Sequence, residues 1–213
     1  MALHRIYKWQ CLQIALWKIE KNDHIDLDQL RLSPSDKEKW GKLRHHGKKS
    51  EFLASRAALK HLIEDIDGLS FGKDGKPLLP SLQGVSISHC HNYAAAAISS
   101  NLDVGVDIEN YRSQFPKIAK RFLSEQELNS LSKTESLKQL TGFWCAKESL
   151  IKLSGNTKLD LRKDLRVSPI KLSKRQVCQG LIRENSQLIA HPIFIKSEPD
   201  FCLGFSYRKP NLN

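Results

Sequence analysis

The sequence contains no uninterrupted apolar run long enough to cross a bilayer as a helix, no cysteine pair spaced C-x-x-C and no low-complexity tract. The first absence argues against a helical membrane protein. The second removes the usual zinc and dithiol-redox readings, and the third removes a disordered or repetitive chain. The five cysteines, Cys11, Cys90, Cys145, Cys178 and Cys202, are scattered and odd in number, so a reducing cytoplasm is the expected compartment. The stretch from Leu3 to Ile19 is fairly apolar, but Lys8, Gln10, Gln13 and Lys18 interrupt it and no small-residue cleavage site follows. It reads as a first strand with Leu12, Ile14 and Leu16 on one face, and not as a signal peptide.

What is present suits a folded, soluble protein. At 213 residues, 40% hydrophobic and 27% charged, the chain can bury a core as one large or two small domains. The formal charge of +11 is unevenly placed: residues up to Asn110 hold 15 basic and 14 acidic side chains, a net +1, whereas Tyr111 to Asn213 hold 19 and 9, a net +10. Such a second half attracts polyanions, whether nucleic acid, an anionic membrane, a phosphorylated cofactor or an acidic protein.

Ser33-Pro34-Ser35-Asp36 is a helix start with Ser33 as N-cap, and that helix runs to about Arg44. A second helix is expected from Lys48 to about Asp65, with Phe52, Leu59, Leu62, Ile63 and Ile66 at helical spacing. Turn chemistry at Gly72 to Pro77 introduces short strands at Val85 to Ser88, Tyr93 to Ile98 and Val104 to Glu109. The plan then repeats. Ser124-x-x-Glu127 is a capping box, a long helix spans about Ser136 to Leu153, and strand-like runs return at Leu165 to Val167, Gln187 to Ala190, Phe194 to Lys196 and Phe201 to Tyr207. Long helix then sheet, twice, implies two related α+β halves with a boundary near 101–104.

Two segments hold the candidate chemistry. In Val104-Gly105-Val106-Asp107-Ile108-Glu109 strand alternation puts Asp107 and Glu109 on one face. Adjacent carboxylates need a cation or a proton between them, and Mg²⁺ takes such hard oxygen ligands along with phosphate oxygens. Alone, the motif also describes a hydrated strand edge. In Trp144-Cys145-Ala146-Lys147-Glu148-Ser149-Leu150-Ile151-Lys152, Glu148 and Lys152 are neighbours on a helix surface. They form either an ordinary surface pair or a third carboxylate with lysines facing an anion.

Gly105-x-Asp107-x-Glu109 followed by Trp144-x-x-Lys147-Glu148-Ser149-x-x-Lys152 resembles the paired signature of the 4′-phosphopantetheinyl transferases, best the long two-halved, Sfp-like type. Upstream, Gly75-Lys76-Pro77, Ile87-Ser88-His89 and Ser55-Arg56-Ala57 match further family positions, with Cys90 standing where the family usually has serine. The resemblance implies an α+β fold of two similar halves with pseudo-twofold symmetry, residues 1–102 and 103–213, each a long helix on a small mainly antiparallel sheet, with the active-site cleft between them. It implies Mg²⁺, or Mn²⁺ in its place, held by Asp107, Glu109 and Glu148 against the pyrophosphate of coenzyme A. Lys147 and Lys152 would contact the phosphates, and Lys76, Ser88, His89 and Arg56 the adenosine end with its 3′-phosphate. The implied reaction moves phosphopantetheine onto a serine of an acyl or peptidyl carrier protein, with Asp107, Glu148 and Lys152 in catalytic roles and Glu148 as first candidate for the base.

Carrier proteins of this kind are acidic, and Lys117, Lys120 and Arg121 at i, i+3, i+4 present one basic face that could dock them. Lys158, Arg162, Lys163, Arg166, Lys171, Lys174 and Arg175 form a second basic run, either patch or charged loop. The expected protein is a monomer that binds neither nucleic acid nor membrane. The competing reading is a basic nucleic-acid-binding protein without catalysis, for which the sequence offers charge but no helix-turn-helix, zinc or RNP-type pattern.

Overall fold

In a computed structural model of the chain, residues 2–9, 11–20, 27–134, 136–171 and 176–210 are described. They divide into two compact units, one reaching Val104 and joined by the last residues from Lys209, the other running from Gly105 to Arg208.

The first unit opens on β1 (Ala2–Trp9) and β2 (Leu12–Lys18), an antiparallel pair where one long strand was expected. Next come α1 (Leu27–Leu30), α2 (Pro34–Lys42) and α3 (His46–Lys60). Ser33 caps α2 as its composition dictates, its hydroxyl accepting from the Asp36 backbone N–H. The helix α3 starts two residues earlier than expected and stops five earlier; Leu62 and Ile63 therefore lie beyond it yet still pack on the core, and Ile66 is fully buried. The two short strands β3 (Ser70–Phe71) and β4 (Pro77–Leu78) pair around the Gly75 turn, whose φ of 78° suits glycine. They are followed by β5 (Gly84–His89) and β6 (Tyr93–Ser99).

The sheet order is β1-β2-β6-β5, and α3 lies across β6, β2 and β5. Every residue of β6 is buried, and its four consecutive alanines leave room for Phe52, Leu53 and Leu59 of the helix.

The second unit begins on β7 (Asp103–Asn110) and continues through α4 (Phe115–Phe122), α5 (Glu125–Asn129) and α6 (Ser136–Ser154). Both halves of the expected capping box form at Ser124 and Glu127. Four strands complete it: β8 (Leu165–Val167), β9 (Gln176–Glu184), β10 (Gln187–Ser197) and β11 (Phe201–Arg208), in the order β7-β11-β10-β9-β8. The expected runs at Gln187 and Phe194 are one strand, and β9 was not anticipated because Gly180 interrupts its pattern. A Cβ at Gly180 would sit 2.3 Å from the Ile193 Cδ1 and 2.8 Å from the Leu150 Cδ1, so both side chains would have to shift.

The helix α6 supplies Phe143, Ala146, Leu150 and Leu153 to a core that includes Ile182, Ile193 and Cys202. Around it Phe115, Phe122 and Trp144 meet with ring centroids 5.2 to 6.2 Å apart, which anchors α4 on α6. The architecture is thus α+β with antiparallel pairing in both units. No helix among the described residues is long and apolar enough to cross a membrane.

Candidate active site

Gly105 explains how the acidic strand meets the helix. A Cβ at this position would stand 2.0 Å from the Ser149 carbonyl oxygen and 2.6 Å from the Leu153 nitrogen, so the β7 backbone rests directly on that of α6. Gly204 of the neighbouring β11 does the same against Cys145, where a Cβ would fall 2.7 Å from backbone atoms. Two glycines on adjacent strands therefore remove the usual layer of side chains. Asp107 and Glu109, on the same face of β7 as Gly105, are drawn under the helix, at 5% and 9% exposure.

Lys152 reaches back from the last turn of α6, its ammonium 2.8 Å from Asp107 Oδ1 and 3.0 Å from the Val106 carbonyl. Arg112, just past the strand, closes on Glu109 Oε2 without the alignment of a hydrogen bond. Arg112 had no signal in the sequence, because its meeting with Glu109 depends on where the chain leaves the strand. Glu148 is half-buried one turn before Lys152.

Two of the acids are shifted by their neighbours. Burial first, then the charge of Asp107, pushes Glu109 up to about 7, and the charge of Glu148 adds to this while Arg112 and Lys152 oppose it. Burial and Asp107 likewise raise Glu148, against Lys152. Three carboxyls thus stand near two cations, and the proton that Glu109 retains makes up part of the difference.

Among the described residues no three acidic, histidine or cysteine side chains converge closely enough to hold a metal ion as they stand. The donor chemistry nevertheless fits a hard divalent cation. Asp107, Glu109 and Glu148 offer carboxylate oxygens alone, Glu109 Oε2 is buried without a hydrogen bond, and one lysine ammonium already rests on Asp107.

The electrostatics give a sign for stability. Glu109 holds its proton to about pH 7 when folded, against an ordinary 4.5, so folding gains on the acid side and that gain is lost as pH rises from 4.5 through 7. In metal-free protein, Glu109→Gln is expected to raise Tm at pH 8 by several degrees, at roughly 2–4 °C per kcal/mol for a chain this size, and to leave Tm at pH 5 nearly unchanged. Thermal unfolding at the two pH values in the presence of a chelator checks this. Equal shifts at both would contradict it.

Two expected ligands are corrected. Lys147 faces the core, with no exposed side-chain area: its ammonium donates to the carbonyls of Phe122, Leu161 and Leu165 and pairs with Glu127 Oε2 at 2.8 Å. Burial lowers its pKa while Glu127 opposes the shift. It turns away from the acids because adjacent residues on a helix point about 100° apart, so Lys147 and Glu148 cannot face the same site. Arg56 is also spent. Its guanidinium is buried, bonds both oxygens of Asp36 at 2.8 and 2.6 Å, and lies over Phe52.

Of the other expected residues that the structure describes, all but Ser88 lie nearer the surface. Lys76 stands 3.8 Å from Asp103. Ser88 is buried, and His89, at the end of β5, has Nδ1 3.0 Å from Glu51 Oε2. Lys117, Lys120 and Arg121 project from α4 opposite its buried Phe115, Ala119 and Phe122. Lys158, Arg162, Lys163 and Lys171 are exposed, Arg166 bonds nearby carbonyls, and Lys174 and Arg175 lie outside the described residues.

Comparison with known proteins gives two matches to family models. Residues 103–204 match the 4′-phosphopantetheinyl transferase superfamily and residues 45–99 the 4′-phosphopantetheinyl transferase N-terminal domain. A 4′-phosphopantetheinyl transferase of Bacillus subtilis is 36% identical over 112 residues, 49% of this chain and 50% of that protein. The 4′-phosphopantetheinyl transferase Sfp of Bacillus subtilis is 29% identical over 136 residues, covering 58% and 60%, and HetI of Nostoc, named likewise, is 29% identical over 122, covering 49% and 52%. The chain spans about half the length of the curated relatives it matches.

Proposed function

The chain belongs to the 4′-phosphopantetheinyl transferase superfamily, and from that premise we propose that it transfers the 4′-phosphopantetheine arm of coenzyme A to a serine of an acidic acyl or peptidyl carrier protein. The observation that supports this most is the acidic trio of buried Asp107 and Glu109 and half-buried Glu148 beside Lys152. An excess of carboxylates over cations is costly for a fold to keep unless a ligand supplies the missing charge.

In this reading Asp107, Glu109 and Glu148 would hold Mg²⁺. Once bound, the ion offsets charge on the pyrophosphate and favours displacement at phosphorus. The chain's own residues do the rest. The serine Oγ attacks the β-phosphorus, the bond to 3′,5′-adenosine bisphosphate breaks, and the serine proton passes to Glu148. Before the ion binds, burial and the charge of Asp107 raise this carboxyl above the ordinary range, and a bound cation would act against that rise. Lys152 balances Asp107 before substrate arrives and turns to the phosphate oxygens as charge gathers there. Lys76, Ser88 and His89 take the adenosine end, so residues 1–102 serve binding and residues 103–213 serve metal and chemistry.

The test is to mix the protein with coenzyme A, Mg²⁺ and several apo-carriers and to follow each carrier's mass. Addition of phosphopantetheine supports the reading; unchanged carriers, with binding to random DNA at moderate salt, would favour the nucleic-acid alternative. The face formed by Lys117, Lys120 and Arg121 is the proposed dock for the carrier. Reversing charge at Lys120 and Arg121 is expected to raise KM for the carrier about tenfold, with KM for coenzyme A unchanged. Equal effects on both substrates, or none, would remove the dock.

A further inference from the structure

The helix α3 buries Phe52, Leu53 and Ala54 and, beside them, the acid Glu51. A buried carboxylate requires partners, and the two that Glu51 has among the described residues, Lys48 and His89, face outward. Its Oε2 lies 2.7 Å from the Lys48 ammonium and 3.0 Å from His89 Nδ1. The Glu51 side chain is 9% exposed, whereas those of His89 and Lys48 are 37% and 61% exposed. A hidden anion thus stands behind two partly exposed basic side chains.

We propose that Glu51 is a positioning residue for His89: it accepts the Nδ1 proton and so offers Nε2 to an anionic phosphate. This deepens, and rests on, the reading that His89 meets the adenosine end of the substrate. A lone imidazole divides its proton between two nitrogens and rotates about its side-chain bonds, and a carboxylate at Nδ1 ends both freedoms. When a phosphate at Nε2 calls for the second proton, the same carboxylate balances the imidazolium that forms, as outer partners of functional histidines do elsewhere. Lys48, on the other side of Glu51 Oε2, restrains the carboxylate and adds a second positive group to the same surface.

Binding tests this without catalysis. Affinities for adenosine 3′,5′-bisphosphate and adenosine 5′-monophosphate are measured by calorimetry for wild type, Glu51→Gln, His89→Ala and the double variant. Glu51→Gln is expected to weaken the bisphosphate about tenfold, the scale of one charge-assisted hydrogen bond. It should leave the monophosphate within about twofold, and in the His89→Ala background it should add less than about twofold. Nitrogen-15 spectra of the ligand-free protein should show the His89 ring signals altered by Glu51→Gln. Equal losses for both nucleotides, additive losses in the double variant, or unaltered ring signals would overturn the proposal. If Glu51→Gln proves too unstable to purify, Glu51→Asp tests the same coupling, because one fewer methylene withdraws the carboxylate from Nδ1. A wild-type protein that binds the bisphosphate but labels no carrier would overturn the proposed transfer and leave the Glu51 result standing.

Discussion

Replacing Asp107 with alanine is expected to lower transfer to an apo-carrier by roughly 10³-fold or more, with the protein still folded. Asp107 is the hub of the acidic trio. It takes the Lys152 ammonium at 2.8 Å, and its charge helps raise both Glu109 and Glu148. Its loss would remove one proposed metal oxygen, release Lys152 and lower the basicity of Glu148 together. A bound metal supplies several kcal/mol of transition-state stabilisation, and each factor of ten in rate corresponds to about 1.4 kcal/mol. Stability should move little, because separating like charges offsets the loss of the Lys152 ion pair. Single-turnover labelling followed by carrier mass, alongside thermal unfolding, decides the matter. A rate within tenfold of wild type would remove Asp107 from the chemistry.

Lys147→Ala should act in the opposite way, on the fold before the reaction. The ammonium joins the end of α4, the carbonyls of Leu161 and Leu165, and Glu127 at the start of α5. Glu127 in turn bonds the backbone N–H of Val167 and both the N–H and hydroxyl of Ser124. Withdrawing the lysine leaves a carboxylate at 4% exposure without its cation and takes a donor from three carbonyls, of which Leu165 keeps Arg166. Removing one partner of a buried pair costs about 3–5 kcal/mol, a large share of the 5–15 kcal/mol that holds a typical domain together. The urea midpoint should fall accordingly, and Lys147→Met should fall similarly, because it restores bulk but not charge. A loss below about 1 kcal/mol would show that water replaces the ammonium.

These two residues mark where the sequence was readable and where it was not. Strand alternation placed Asp107 and Glu109 on one face, and the capping box at Ser124 announced α5, because both rules are local. Lys147 and Arg56 misled, since a cation in a signature reads as a ligand unless its partner is visible. Those partners, Glu127 and Asp36, are each 20 residues away. Glu51 was hidden for the same reason: its pairing with His89 joins a helix to a strand end 38 positions later. The end of α3 was overrun because Leu62, Ile63 and Ile66 keep helical spacing while the chain has already turned; burial, not periodicity, explains them. The long strand expected at the start proved to be two, as its apolar alternation continues through the turn.

The contact of β7 and β11 with α6 through Gly105 and Gly204 has a consequence for motion. Where backbone touches backbone, no rotamer change can open a gap, and the two layers separate only when the unit as a whole unfolds. The amides along that seam should then be the last to exchange with heavy water. The carboxylates on β7 inherit this stiffness, so adjustment to the proposed cation would fall to the side-chain torsions of Asp107 and Glu109 and, from α6, of Glu148. If the proposed site holds a cation, such a cradle would be expected to accept ions of closely similar radius and to discriminate against larger ones.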